Sequence, residues 1–282
     1  LIIVAAGNAT KEEPNCPLDY PRANRRLAIH NPAQAWNALT VGSFAHKDRL
    51  SSGVNGIVPA PRGAMSPCNS TSLIWDNQWP LKPDVVCEGG NHAIIDGLVD
   101  LADDLQITTT GHDFRNRPLA LTGDTSASAA LASRMAAQIF SRYPDAWPET
   151  IRALMVQFAD WTPAMLNNRS KWSLIEAEKR ELLRQVGYGV PNLNKAIEGA
   201  RTSVTLIYQD ELQPFRLVQG GDVKTMQFNR HDLPWPKREL EALMNTEVTL
   251  HVTLSYFIEP NPGPRDVSDK YRYASAGLRF DL

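Results

Sequence analysis

The segment Thr122-Gly123-Asp124-Thr125-Ser126-Ala127-Ser128 runs directly into Ala129-Ala130-Leu131-Ala132-Ser133-Arg134-Met135-Ala136-Ala137. It sets a hydroxyl at the mouth of a helix made of small residues. A helix N-terminus carries unpaired backbone N–H groups and the positive end of the helix dipole. Both stabilise an oxyanion on a carbonyl carbon bonded to that hydroxyl oxygen. The chemistry implied is nucleophilic attack by Ser126. The same residues also fit an ordinary N-cap, which is the commoner use of Thr and Ser there. The first residues of the chain shift the balance. Leu1-Ile2-Ile3-Val4-Ala5-Ala6-Gly7-Asn8 is an apolar, β-branched run that ends in small residues and an amide. It reads as a buried strand that delivers Asn8 to a strand end, and an Asn amide is a suitable oxyanion donor.

Together the two segments resemble the subtilisin-like serine proteases. In that family a strand ending Ala-Gly-Asn supplies the oxyanion-hole Asn, and a later Gly-Thr-Ser-Met-Ala motif opens a buried helix with the nucleophile. Asn8 and Ser126 match those positions. Three more segments follow in the family's order. Ala38-Leu39-Thr40-Val41-Gly42-Ser43 is similar to the strand after the Asn. Lys82-Pro83-Asp84-Val85-Val86-Cys87-Glu88-Gly89 is similar to the Lys-Pro-Asp-Val-Ala-Pro-Gly segment. Gly187-Tyr188-Gly189 is similar to the motif that closes the catalytic domain. Asp124 stands where the motif has Gly, Ala127 where it has Met, and Cys87-Glu88 where it has Ala-Pro. The carboxylate of Asp124 can raise the pKa of a neighbouring base, or it can serve as a capping group at the helix start.

A serine nucleophile needs a base, and the base needs an orienting group. In the family both the Asp and the His precede the oxyanion Asn, which here is residue 8. The resemblance therefore implies a chain that is the C-terminal part of a longer protein, with the Asp and His in the part before Leu1. None of His30, His46, His92, His112, His231 and His251 sits in a His-Gly-Thr context. All six read as surface or loop histidines, with His92 and His112 in loops that can approach the site. The resemblance further implies that Ala5, Ala6 and Gly7 line the pocket for the residue before the cut, with Thr125 beside them. Side chains this small leave room for a large apolar group.

The elements that must position these residues alternate between strand and helix patterns. A strand is expected over residues 1–6, a short helix over 31–38 entered at Pro32, and strands over 39–41 and 84–87. A polar, Pro-rich excursion fills 10–26. Residues 44–81, rich in Gly, Pro, Ser and Asn, read as a long loop around the substrate cleft. The nucleophile helix should end near Tyr143-Pro144. The next helix opens at Pro148, with Ile151, Leu154, Met155 and Phe158 as its core stripe. A third, charged helix spans 173–185. Residues 1–201 are thus read as an incomplete subtilisin-like α/β domain, a parallel sheet with flanking helices. Residues 202–282 are read as a β-rich domain, a small jelly-roll-like sandwich. Its expected strands include 203–208, 215–218, 247–258 and 271–282, with a helix at 236–244 and a turn at Pro260-Asn261-Pro262-Gly263-Pro264.

The chain has 282 residues, 43% of them hydrophobic and 21% charged, with a net charge of -2. No basic stripe is present, so nucleic acid is not an expected partner. No apolar run of about 18 residues is present, so no membrane span is expected. Cys16, Cys68 and Cys87 show no metal-ligand spacing. They read as reduced thiols, although Cys16 and Cys68 lie in loops where they can pair in an oxidising compartment. No cofactor is implied. Asp100, Asp103 and Asp104 within 96–104 fit either a calcium site or, more simply, a solvated face.

The expected function is that of a serine endopeptidase working through an acyl-enzyme on Ser126, with a polypeptide substrate and the N-terminal part of the same protein as partners. Such a fragment alone is expected to be inactive. A catalytically dead binding module is the alternative, motivated by the departures at Asp124 and Cys87-Glu88. A flavodoxin-like binding domain with an ordinary N-cap Ser also fits the α/β alternation, though not five ordered motifs. The compartment is open between bacterial cytoplasm and secretion, with the cysteine pattern favouring cytoplasm.

Overall fold

Strand β2, Leu39–Phe44, is buried at five of its six positions, as expected of a central parallel strand covered on both faces. It pairs in parallel with β1, Ile3–Ala5, on one side and with β3, Val85–Glu88, on the other. Ile3 lies opposite Leu39, and Val41 opposite Val85. The computed structural model describes residues 1–258 except 77–78, 203–204, 214, 220–222, 228 and 231–235. The chain divides into two units, Leu1–Leu206 and Ile207–Leu282.

Alternation along β3 sends its side chains to two different cores. Helix α1 is the single turn Ala9–Glu12 after β1; Val85 and Cys87 join Leu39 and Val41 against Ala132, Ala136 and Ile139 of helix α2, Asp124–Arg142. Ile151, Leu154 and Met155 of helix α3, Pro148–Gln157, complete that layer. Val86 turns to the other face and packs with Met65, Met165 and Val186. Each fully buried Val, Leu, Ile or Met contributes about 1.5–3 kcal/mol, so the two layers fix the sheet between helices. The buried face of α2 is Thr125, Ala127, Ser128, Ala132, Ala136 and Ile139. Its small residues bring the helix axis close to the strands, and Ser128 Oγ donates to the carbonyl oxygens of Cys87 or Glu88, both at 3.0 Å.

The N-terminal edge of the sheet is held by an ion pair. Lys82 is 2% exposed. Its Nζ donates to the Ala38 carbonyl at 2.8 Å and to Asp84 Oδ2 at 2.7 Å. The same carboxylate oxygen accepts the Thr40 N–H at 2.6 Å. Burial lowers the Lys82 pKa, and the Asp84 charge works against that shift. The Gly187-Tyr188-Gly189 motif closes this edge. Tyr188 N–H donates to the Asp84 carbonyl at 2.8 Å, and Val86 N–H to the Gly189 carbonyl at 2.9 Å.

Several expectations are corrected. Residues 31–38 form turns, not a helix. Thr40 Oγ1 donates to the Ala33 carbonyl at 2.6 Å, which takes the acceptor that a helical N–H four residues on would need. Residues 44–81 hold little regular structure, yet Ser66, Cys68, Asn69, Ser70, Thr71 and Ser72 are all buried. Residues 66–72 are scaffold rather than a surface loop, because the side chains of Ser66, Asn69, Thr71 and Ser72 find partners inside. Asn69 alone accepts from Ser43 N–H at 2.7 Å and donates to the Gln185 carbonyl at 2.9 Å. Helix α4 is Glu176–Val186, somewhat later than expected, and its Arg184 is buried.

In the second unit the described residues hold one antiparallel pair, Phe215–Leu217 with Val223–Thr225, and one short helix, Lys237–Ala242. This is short of the expected sandwich. Among the described residues, 205–208 and 247–258 carry no strand assignment. The expected strand at 271–282 and the turn at 260–264 lie outside the described residues. Among the described residues no helix is long and apolar enough to cross a membrane.

Candidate active site

The C-terminal ends of β1 and β3 and the first turn of α2 meet at one place. The chain leaves β1 through Ala6 and Gly7 and reaches Asn8, which is 5% exposed. Asn8 is fixed from below by the buried segment. It bridges to Asn69, and Ala9 N–H donates to the Cys68 carbonyl at 2.7 Å. Its side chain then crosses to a helix more than a hundred residues away. Asn8 Oδ1 accepts both the Thr125 N–H, at 3.1 Å, and the Thr125 hydroxyl, at 2.6 Å. Asn8 Nδ2 donates to Asp124 Oδ2 at 3.3 Å. Thr125 Oγ1 in turn accepts the Gly7 N–H at 3.3 Å.

Helix α2 therefore has no cap from its own side chains; the amide of Asn8 does that work. Asp124 N–H donates to the Gly89 carbonyl at 2.7 Å and Thr125 N–H to Asn8. Ser126 N–H is the next of the orphan donors that a helix start leaves. No helical acceptor precedes it, and among the described residues it makes no hydrogen bond. Ser126 itself is exposed, while its neighbours Thr125 and Ala127 are buried. A free hydroxyl, a free N–H on the same residue and an amide nearby form a donor set suited to a developing oxyanion.

Glycine is needed where backbones close on this point. A Cβ on Gly89 would run into Ser43 and stand 2.7 Å from Ser128 Oγ and 2.8 Å from the Asp124 carbonyl. Gly7 has φ 107° and lies against the His30 ring, so a side chain there is excluded by both backbone and space. Of the residues assigned to the substrate pocket, Ala6 is fully buried against Ile29 and Ala33. Ala5 and Gly7 are half-buried. His30, which covers Gly7 and has its Nε2 3.0 Å from Glu12 Oε1, is a wall of the site that no sequence signal announced.

The sequence model of the Subtilase family (Peptidase_S8) matches residues 1–189. The chain belongs to the subtilase family. A curated relative, the uncharacterized protein y4bN of Sinorhizobium fredii, is 29% identical over 307 aligned residues, covering 100% of this chain and 63% of that protein. The chain thus spans less than two thirds of the curated relative it matches. Among solved structures, the epidermin leader peptide processing serine protease EpiP of Staphylococcus aureus is 16% identical with a TM-score of 0.41, covering 73% of this chain and 42% of that one. MycP1 of Mycobacterium smegmatis is 20% identical with a TM-score of 0.37, covering 83% and 46%.

Within this subtilase the charges at the site are unbalanced. Asp124 makes no ion pair among the described residues, and at φ 64° it holds a backbone conformation that suits glycine. His92 is 4% exposed, and its Nδ1 is buried without a hydrogen-bond partner. Burial lowers its pKa, with the Asp124 charge pulling the other way. Burial and the charge of Asp124 push the Cys68 thiol up to about 12. All three cysteines are free and buried. His46 and His112 are exposed. Asp104 is occupied with Ser51, accepting its N–H at 2.9 Å and its hydroxyl at 2.7 Å. Among the described residues no group of three or more His, Cys, Asp or Glu converges as a metal site would require.

Proposed function

We propose that this chain carries the nucleophile and oxyanion half of a serine endopeptidase. Ser126 Oγ attacks the scissile carbonyl of a polypeptide substrate, and its N–H together with the Asn8 amide holds the oxyanion. The observation that carries this reading is the Asn8–Thr125 clamp. It ties the end of β1 to the first turn of α2 and leaves the adjacent Ser126 hydroxyl and N–H free. Thr125 positions Asn8, while Ala5 and Gly7 contribute to the wall beside the scissile bond. The triad Asp and His come from the part of the same protein that precedes Leu1. Family membership supports a serine peptidase, and the site geometry supports these assignments within it.

The test is Ser126→Ala in the intact protein, with peptide cleavage and capture of a fluorophosphonate as readouts. Loss of both, with an unchanged thermal midpoint, is expected; cleavage that survives the substitution sinks the reading. A binding module on a lapsed active site is the second reading, favoured by the carboxylate that sits on the Asn8 amide. Ser126-dependent turnover eliminates it.

A further inference from the structure

Asp124 is the residue of this site that the attack itself does not require. Three observations define it. Its carboxylate accepts from Asn8 Nδ2 at 3.3 Å and from the Cys68 thiol, and neither partner carries a charge that would offset it. It makes no ion pair among the described residues, and the nearby His92 is held toward its neutral form by burial. Its φ of 64° is a conformation that glycine adopts freely and that most other residues avoid, so a carboxylate side chain is kept where the backbone favours none.

Two roles compete for it. As an anchor, the carboxylate would orient the Asn8 amide. That orientation is already set from the other side, because Asn8 Oδ1 is held by both the N–H and the hydroxyl of Thr125, at 3.1 and 2.6 Å. As a charge, the carboxylate acts on whatever forms next to Nδ2. An oxyanion bound by that amide sits one hydrogen bond away from it, within several ångströms of the carboxylate. Like charges at such a distance, near a protein surface, interact strongly enough to slow a reaction by about tenfold or more. The anchor is redundant and the charge is not.

We infer that Asp124 is an electrostatic brake on Ser126, raising the barrier to oxyanion formation at Asn8 without touching the hydroxyl. This rests on the peptidase reading given above and names a rate-limiting device within it. A brake of this kind keeps the site slow until a substrate or partner shields or displaces the carboxylate.

The experiment compares wild type, Asp124→Asn, Asp124→Gly and Ser126→Ala in the intact protein. The readouts are kcat and KM for a p-nitrophenyl ester and the rate of fluorophosphonate capture. Removing the charge is expected to raise kcat by about tenfold with KM little changed, in both Asp124 variants, and combining either with Ser126→Ala abolishes the gain. Equal or lower kcat in Asp124→Asn and Asp124→Gly, with wild type active and Ser126→Ala dead, overturns the brake and leaves the peptidase reading standing. Activity that ignores Ser126→Ala, or no turnover in any variant, overturns both. A purely structural role for Asp124 would move the thermal midpoint and the fraction of labelled protein, not kcat alone.

Discussion

At the N-terminal edge of β2 and β3, Lys82 and Asp84 meet at 2.7 Å, and each also bonds the backbone that surrounds it. At the C-terminal edge, Asp124 accepts from the Asn8 amide at 3.3 Å and from the neutral Cys68 thiol with no cation paired to it among the described residues, and the adjacent Ser126 N–H and hydroxyl make no hydrogen bond among them. Both edges gather polar groups around the same strands. One satisfies every charge and so fixes the sheet; the other leaves a hydroxyl, an N–H and a carboxylate with work undone. A buried charge without a partner costs several kcal/mol, so the unpaired set survives only where the edge is open to solvent and Ser126 is exposed. On the proposed reading, the contrast separates residues kept for stability from residues kept for chemistry.

Breaking the open edge should affect rate and not stability. Ser126→Ala should reduce peptide hydrolysis by about 10⁴-fold or more while leaving the urea midpoint within about 0.5 kcal/mol of wild type. Breaking the paired edge should do the reverse. Lys82→Ala strands Asp84 beside buried backbone and should cost about 3–5 kcal/mol in urea unfolding, with the fluorophosphonate reactivity of whatever remains folded unchanged. Asn8→Ala falls between, since Asn8 serves both. It should lower kcat by about 10²- to 10³-fold and cost about 1 kcal/mol as a lost helix cap. If Asn8→Ala changes stability alone, the distinction between the two edges fails.

The smallest effect, in mildly alkaline solution, concerns the three buried thiols. Cys16, Cys68 and Cys87 are each pushed up to about 12, first of all by burial. Between the ordinary thiol range and about pH 12 the folded chain therefore keeps protons that the unfolded chain releases. Stability is complete below that window and falls as pH rises through it. Unfolding free energies at pH 7 and pH 8.5 should show only the onset of the loss, about 0.5 kcal/mol for the three thiols together, and replacing the three cysteines by Ala should remove it.

Much of the open edge was legible in the sequence. The motifs put Asn8 at a strand end and Thr125 and Ser126 at a helix start, where the structure has them, and the core stripe of α3 follows from helical spacing. What escaped depended on partners far away in sequence. The turn at 31–38 has a helical composition, but the segment closes in successive turns and its Ala33 carbonyl is held by the Thr40 hydroxyl of β2. Residues 66–72 read as a loop because Ser, Thr and Asn are usually exposed. Composition cannot report that Asn69 finds Ser43 and Gln185. Asp124 was visible as a departure from the family motif, but its meaning lay in its hydrogen bond to Asn8.

The cap on α2 comes from a side chain 117 positions earlier. A cap of local origin forms as soon as its helix does; this one forms only when both segments have met, and loop closure over such a separation is slow. The corner is therefore complete only once β1 and α2 have docked. On the peptidase reading, a nascent or partly unfolded copy carries the serine but not the donors around it, a form of safety that requires no inhibitor.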